Sequence, residues 1–244
     1  MQWMDQNWFS HPSYFKLNQH PVLLVFGPQH LKQYQWQAMT RDLNHPPHIY
    51  GLPHLSKKGS GMFGQYLWAP ASKGKNITKA DWISYLIDHY IEGEQGTPTL
   101  AVAFPGFHDI YAETQKEKSF GFIDHENGKT LTDSLYLALN SQTPLVQLCT
   151  WNDFGEGTSV EPTYEHGFHY LEIIQSMIKN QGETKYTVLH FELPLNIYRL
   201  LLNHNLNEKQ LKSIHHIRDL IYALDITSAQ KHWKSFLEHN PKFQ

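Results

Sequence analysis

Five short apolar runs, separated by stretches of helical periodicity, constrain this chain more than any other feature. Pro21 opens Val22-Leu23-Leu24-Val25-Phe26, which Gly27-Pro28 closes. A weaker run, His48-Ile49-Tyr50-Gly51-Leu52, comes next, followed by Gly64-Gln65-Tyr66-Leu67-Trp68, which Pro70 ends. The fourth, Thr99-Leu100-Ala101-Val102-Ala103-Phe104, stops at Pro105-Gly106, and the fifth is Leu145 to Cys149. Continuous apolar runs with β-branched members read as strands buried on both faces.

The intervening segments carry a different period. Thr78 and Asp81 have capping-box spacing ahead of Trp82, Tyr85, Leu86 and Tyr90, which predicts a helix between the third and fourth runs. Leu131, Leu135 and Leu139 recur every four residues before the fifth run; Phe168, Leu171, Ile174 and Ile178 form an apolar stripe after it. Thr130 is the expected cap of the first of these two helices. Strands alternating with helices predict an α/β fold with a parallel sheet covered by helices. The tail is all helical in pattern, with Ile214, Ile217, Ile221 and Leu224 on one face and Trp233, Phe236 and Leu237 on another. The expected organisation is therefore residues 1–195 as the sheet-bearing part and 196–244 as a helical extension of the same domain, packed on its outside.

Composition narrows the function classes. A net charge of −3, with lysines and arginines scattered rather than striped, gives no electrostatic basis for a nucleic-acid or anionic-membrane partner. Nothing approaches the ~20 consecutive apolar residues of a membrane span. The start, Met1-Gln2-Trp3-Met4-Asp5, lacks the basic and apolar segments of a signal peptide, so the chain as written is expected to stay in the cytoplasm. The single cysteine, Cys149, lies in an apolar run and reads as a buried thiol. Seven Trp, thirteen Tyr and thirteen Phe stand out; most read as core and rim packing, but aromatic rings also stack on the apolar faces of sugars.

In parallel α/β proteins, ligands collect at the C-terminal ends of strands. After the fourth strand stands Phe104-Pro105-Gly106-Phe107-His108-Asp109-Ile110-Tyr111, where His108 and Asp109 either face a ligand or serve the loop. Tyr66 and Trp68 end the third strand, as a stacking platform or as core. After the fifth comes Thr150-Trp151-Asn152-Asp153-Phe154-Gly155-Glu156-Gly157-Thr158-Ser159-Val160-Glu161-Pro162. Glycoside cleavage needs two carboxylates about the scissile bond, one of them protonated. Asp153 and Glu156 are candidates, with Trp151 and Phe154 as an apolar wall raising a carboxyl pKa and Asn152 as a partner for sugar hydroxyls. Read from residue types alone, the same acids fit equally well as caps of a following helix. His166 and His169 have ligand spacing but no third ligand nearby in sequence, and no metal or other cofactor is expected.

The run Thr150 to Thr158 resembles the Trp-Asn-Glu/Asp-aromatic-x-Glu-Gly-Thr signature of glycoside hydrolase families 71 and 99. The continuation Val160-Glu161-Pro162-Thr163, the upstream Pro105-Gly106-Phe107, and Tyr14-Phe15-Lys16 followed by Pro21-Val22-Leu23-Leu24 fit the same resemblance, which covers roughly residues 8 to 175. It implies a fold of the (β/α)8 TIM-barrel type, incomplete here at about five strands, with the C-terminal helices outside. It implies an enzyme cleaving α-linked glycans, α-mannosides in family 99, with retention. Glu156 is the implied acid/base and Asp153 the carboxylate assisting the substrate's own 2-hydroxyl. Trp151, Asn152, His108, Asp109, Tyr66, Trp68 and Glu161 make up the expected substrate contacts, and an oligosaccharide or polysaccharide is the expected partner. Asp153 is one methylene shorter than the usual family 99 glutamate and Gly155 replaces a histidine; related bacterial 71/99-like proteins carry Asp and Gly at these positions. Relatives place about three further strands before the point where this chain starts, so a missing N-terminal half or a partner chain is expected to supply them. The alternative reading is a non-catalytic carbohydrate-binding protein or an inactive remnant.

Overall fold

A computed structural model describes residues 1–56, 60–72, 74–114, 118–178 and 188–243. The chain forms two compact units, Met1–Pro162 and Thr163–Gln244.

In the first unit the strands are β1 (Lys16–Leu17), β2 (His20–Val25), β3 (His48–Gly51), β4 (Gly64–Tyr66), β5 (Lys75–Asn76), β6 (Thr99–Ala103), β7 (Phe107–His108), β8 (Gly121–Ile123) and β9 (Val146–Leu148). All five apolar runs lie in one sheet, of order β1-β2-β3-β4-β6-β9, in which β2, β3, β4, β6 and β9 pair in parallel. The register sets Val22 beside His48, Tyr50 beside Gly64, Tyr66 beside Leu100 and Ala103 beside Leu148. The ladder runs slightly past the strands, since Leu67 N–H donates to Leu100 O and Cys149 N–H to Ala103 O. A second, small sheet of order β5-β8-β7 stands beside the loops that follow β4 and β6.

The helices of this unit are α1 (Gln2–Met4), which continues as a π-helical turn over Asp5–Phe9, α2 (Gln33–Thr40), α3 (Lys79–Glu94) and α4 (Lys129–Asn140). The capping box at Thr78 and Asp81 forms, with Thr78 N–H donating to Asp81 Oδ2 at 2.9 Å. Trp82, Leu86 and Tyr90 then bury one face of α3 in a cluster with Leu67, Val102 and Phe104. The other sheet cluster contains Tyr50, Leu52, Tyr66 and Leu100, with Trp68 packed against it, as the period-two alternation around Leu67 requires.

Two details of α4 differ from the sequence pattern. Its buried apolar residues are Leu131, Leu135 and Ala138, whereas Leu139 is 41% exposed, because an apolar face repeats at 3.6 residues rather than 4. Thr130 does not cap the helix. Gly128, at φ +86°, is the N-cap, and the Thr130 hydroxyl donates to Asp124 O at 2.6 Å. Buried polar groups on the sheet are satisfied locally: Gln65 Nε2 donates to Thr99 Oγ1 at 3.1 Å and to Glu92 Oε2 at 3.3 Å.

The second unit is helical, comprising α5 (His169–Ile178), α6 (Val188–Asn203), α7 (Glu208–Tyr222) and α8 (Ile226–His239). Leu193, Ile197, Leu200, Ile214, Ile217, Ala229 and Phe236 form its core. Asn207 and Asp225 cap α7 and α8, accepting from Gln210 N–H and Ser228 N–H. Among the described residues no helix is long and apolar enough to cross a membrane.

Trp82 is 2% exposed and packs edge-on against Phe104 at 5.6 Å. Truncation to Ala is expected to cost about 3–5 kcal/mol, read as a lower urea midpoint. A loss under about 1 kcal/mol, far below that range, would show that α3 does not anchor this face.

Candidate active site

The loop after β9 builds itself from short-range bonds. Thr150 and Thr158 meet through their backbones (Thr150 N–H to Thr158 O) and through their hydroxyls, 2.9 Å apart. Thr150 Oγ1 accepts from Asp153 N–H at 3.0 Å, and Asp153 Oδ1 accepts from Glu156 N–H at 3.0 Å. Val160 N–H and Glu161 N–H close the loop onto Thr150 O and Trp151 O. The Asp153 carboxylate thus already caps the turn that presents Glu156.

The loop after β6 is strapped to this one. His108 N–H donates to Glu156 O at 2.9 Å and Ile110 N–H to Gly155 O at 3.1 Å. The approach is so close that a Cβ on Gly157, at φ +64°, would lie 2.8 Å from His108 O. Behind both loops, His125 Nε2–H donates to Gly157 O at 2.8 Å, and its ring fills the space over Gly106, where a Cβ would come within 2.6 Å.

Glu156 is the focus of this arrangement. Its carboxyl is partly buried, and burial pushes its pKa up from the ordinary carboxylate range. The nearby Asp153 and Asp109 charges add to that rise, while hydrogen bonds from Trp68 and from Tyr111 oppose it. One oxygen, Oε2, is buried without a hydrogen-bond partner in the structure. A carboxyl with an open oxygen and a raised pKa is poised to carry a proton.

The expected residues fall into distinct groups. Glu156, Asp153 and Trp68 come together, with Trp68 linked to the Glu156 carboxyl and edge-on to Phe26 at 5.7 Å. Trp151 is 53% exposed and Phe154 55%, so both keep ring faces open to a ligand. Asn152 is exposed and Glu161 partly buried on the same loop. Tyr66 is 2% exposed in the core cluster, and burial raises its hydroxyl to about 12; its ring meets Trp68 edge-on at 6.5 Å. The His108 ring packs edge-on against Phe122 of β8 at 5.3 Å. Asp109 is 4% exposed, with its oxygens bonded within its own loop region. Tyr111 and His125 had no distinguishing signal in the sequence, because both act through partners distant along the chain. Among the described residues no cluster of His, Cys, Asp or Glu has the geometry of a metal site.

No family model matches the chain. A mutanase of Penicillium rubens is 26% identical over 143 residues, a match covering 54% of this chain and 30% of the mutanase. The GH99 endo-α-mannosidase of Bacteroides thetaiotaomicron in complex with bis-tris-propane superposes with a TM-score of 0.56 at 16% identity, covering 74% of this chain and 64% of that one. A second structure of the GH99 endo-α-mannosidase from Bacteroides thetaiotaomicron gives 0.55 at 16% identity, over 74% and 61%. A glycoside hydrolase-like protein gives 0.54 at 15% identity, over 70% and 57%. The chain therefore spans less than two thirds of the length of each of these relatives. The likeness establishes the fold, an α/β architecture resembling the GH99 barrel.

Replacing Gly157 by Ala places a side chain in left-handed backbone and against His108 O. The expected loss is about 1–3 kcal/mol, seen as a fall in melting temperature. An unchanged melting temperature would show that the two loops are not held at this distance.

Proposed function

We propose that this chain is a glycoside hydrolase-type protein acting on α-linked glycans, with Glu156 as general acid/base and Asp153 as the assisting carboxylate. The observation that carries the reading is the Glu156 carboxyl at the C-terminal ends of the strands. It is partly desolvated, set beside a second carboxylate, and left with one oxygen unpartnered. The mutanase and GH99 likenesses support the same chemistry and the same substrate class, an oligosaccharide or polysaccharide.

In this mechanism Glu156 gives its proton to the glycosidic oxygen as the bond to the anomeric carbon breaks. Asp153 accepts the proton of the substrate's 2-hydroxyl, whose oxygen attacks that carbon from the opposite face. Glu156, now ionised, takes a proton from the water that opens the intermediate, and Asp153 returns its own, so configuration is retained. Internal attack requires the 2-hydroxyl trans to the leaving group, which an α-mannoside satisfies and an α-glucoside does not. Trp151, Phe154 and Phe26 are more than half exposed and supply ring faces for the sugars. Asn152 and Glu161 are assigned to hydroxyl contacts.

The test combines reducing-sugar release from α-mannosides and α-glucans with melting temperature in the presence of the same sugars. Glu156→Gln is expected to lower turnover by about 10²–10⁴-fold with the fold intact; substantial residual turnover would sink the assignment. Stabilisation by a sugar without any turnover in the unaltered chain would instead identify a carbohydrate-binding protein.

The pH dependence has a defined sign. The acid must be protonated, so activity is expected to fall as pH rises through the elevated Glu156 midpoint. The same raised pKa means that the stability associated with protonated Glu156 is present at low pH and lost as pH rises through that midpoint. Glu156→Gln, which cannot ionise, should therefore be at least as stable as the unaltered chain at pH 7. A lower melting temperature would contradict the desolvated setting.

A further inference from the structure

The structure gives Asp109 surroundings unlike those of a sugar contact. Its backbone lies between the two rungs that strap the loop after β6 to Glu156 and Gly155. Its side chain is 4% exposed. Oδ2 accepts from Phe120 N–H at 2.6 Å and from the Ser119 hydroxyl at 3.1 Å, and Oδ1 accepts from Tyr111 N–H at 3.3 Å. These three donors are neutral. They fit an ionised, acceptor-only carboxylate and leave little capacity for a ligand hydroxyl.

We propose that Asp109 is a positioning residue for Glu156, a buried carboxylate strapped beside it whose negative charge keeps the Glu156 carboxyl in its proton-holding form. The inference rests on the reading of Glu156 as the proton donor. Like charges held together in a desolvated site disfavour ionisation of the less well-bonded member. Asp109 has three donors, whereas Glu156 has an unpartnered oxygen. The pKa of Glu156 responds in the same sense, with Asp109 among the charges that raise it.

The other groups about Glu156 are accounted for. Asp153 on the same loop acts in the same direction, and Trp68 and Tyr111 act against it through hydrogen bonds. Cys149, at the end of β9, has a thiol that burial pushes up, so it contributes no charge. His108 precedes Asp109 with its ring against Phe122, and His125 donates to Gly157 O.

Asp109 also accepts from the backbone of Tyr111, and this gives the test its direction. If Asp109 acted only by placing Tyr111, losing it would weaken the Tyr111 bond and move the Glu156 midpoint upward. If its charge acts directly, the midpoint moves downward. The experiment is an NMR titration of the ¹³C-labelled Glu156 carboxyl in the full chain and in Asp109→Asn, with pH–activity profiles alongside. The expected result is a Glu156 midpoint at lower pH in the variant, with the basic limb of the profile displaced the same way. A folded variant with an unmoved or raised midpoint overturns the proposal. Should Asp109→Asn not fold, Asp109→Ser keeps a hydroxyl to accept from Phe120 N–H and carries the same expectation. Failure of both to fold would assign the carboxylate to loop structure alone and also overturn it. The titration needs no turnover: a shifted midpoint in an inactive chain removes the proposed function and keeps this inference, and an unshifted one in an active chain does the reverse.

Discussion

The close approach of the loop after β6 to the loop after β9 is the constraint on which the rest of the site depends. Two backbone amides, His108 and Ile110, reach carbonyls at positions 156 and 155, and glycine at 157 leaves the space for them. Without these rungs Glu156 would be an acid in a hydrophilic loop, free to ionise in water. With them its carboxyl lies near Asp109, Tyr111 and Trp68, groups that belong to the ends of two other strands. The parallel sheet makes this possible, because it delivers the C-terminal ends of β4, β6 and β9 to one side. Ser134 reinforces the same end by bonding both backbone groups of Phe104 to α4, at 3.1 Å each.

The central strands were legible in the sequence because strands buried within a parallel sheet are apolar along their length. By contrast β2 and β9, read as buried in the same way, are only partly buried, with Leu24 and Leu148 exposed. The run Thr99 to Ala103 is buried at every position and could be read directly. Helix α3 was legible for a second reason, a capping box whose two partners lie three residues apart. Sequence reading erred in α4, where glycine rather than threonine caps and the apolar face turns at 3.6 residues. Composition around residue 128 could not reveal a left-handed glycine N-cap, since its backbone conformation depends on the chain entering from His125 and Asn127.

At the site, the acids and their loop were legible, and their environment was not. Trp151 and Phe154 adjoin the acids in sequence and were the natural choice for an apolar wall, yet both are more than half exposed. The indole that reaches Glu156 belongs instead to Trp68, far away along the chain. Asp109 was visible as a carboxylate after a strand, but only the Ser119 hydroxyl and the Phe120 amide, brought in by another segment, show that its Oδ2 is already occupied. Such contacts are set by the closure of loops on one another, to which local patterns are blind.

Three carboxylates of one chemical type acquire different roles here through the donors that each one meets. Asp153 holds a backbone amide on its own turn, and Asp109 holds three donors. Glu156 meets two side-chain donors and keeps a bare buried oxygen. Hydrogen bonds to the charged form favour ionisation, whereas desolvation and neighbouring anions oppose it. When three such groups compete in a partly dry space, the proton settles on the one that loses least by accepting it, and Glu156 best fits that description. The floor of the site strengthens the bias. Cys149 is fully buried and Tyr66 nearly so, and burial holds the protons on both, so neither adds a charge beneath the acid. Division of labour among the acids then follows from how completely each is solvated by the protein, and the three-residue spacing of Asp153 and Glu156 is only its visible trace.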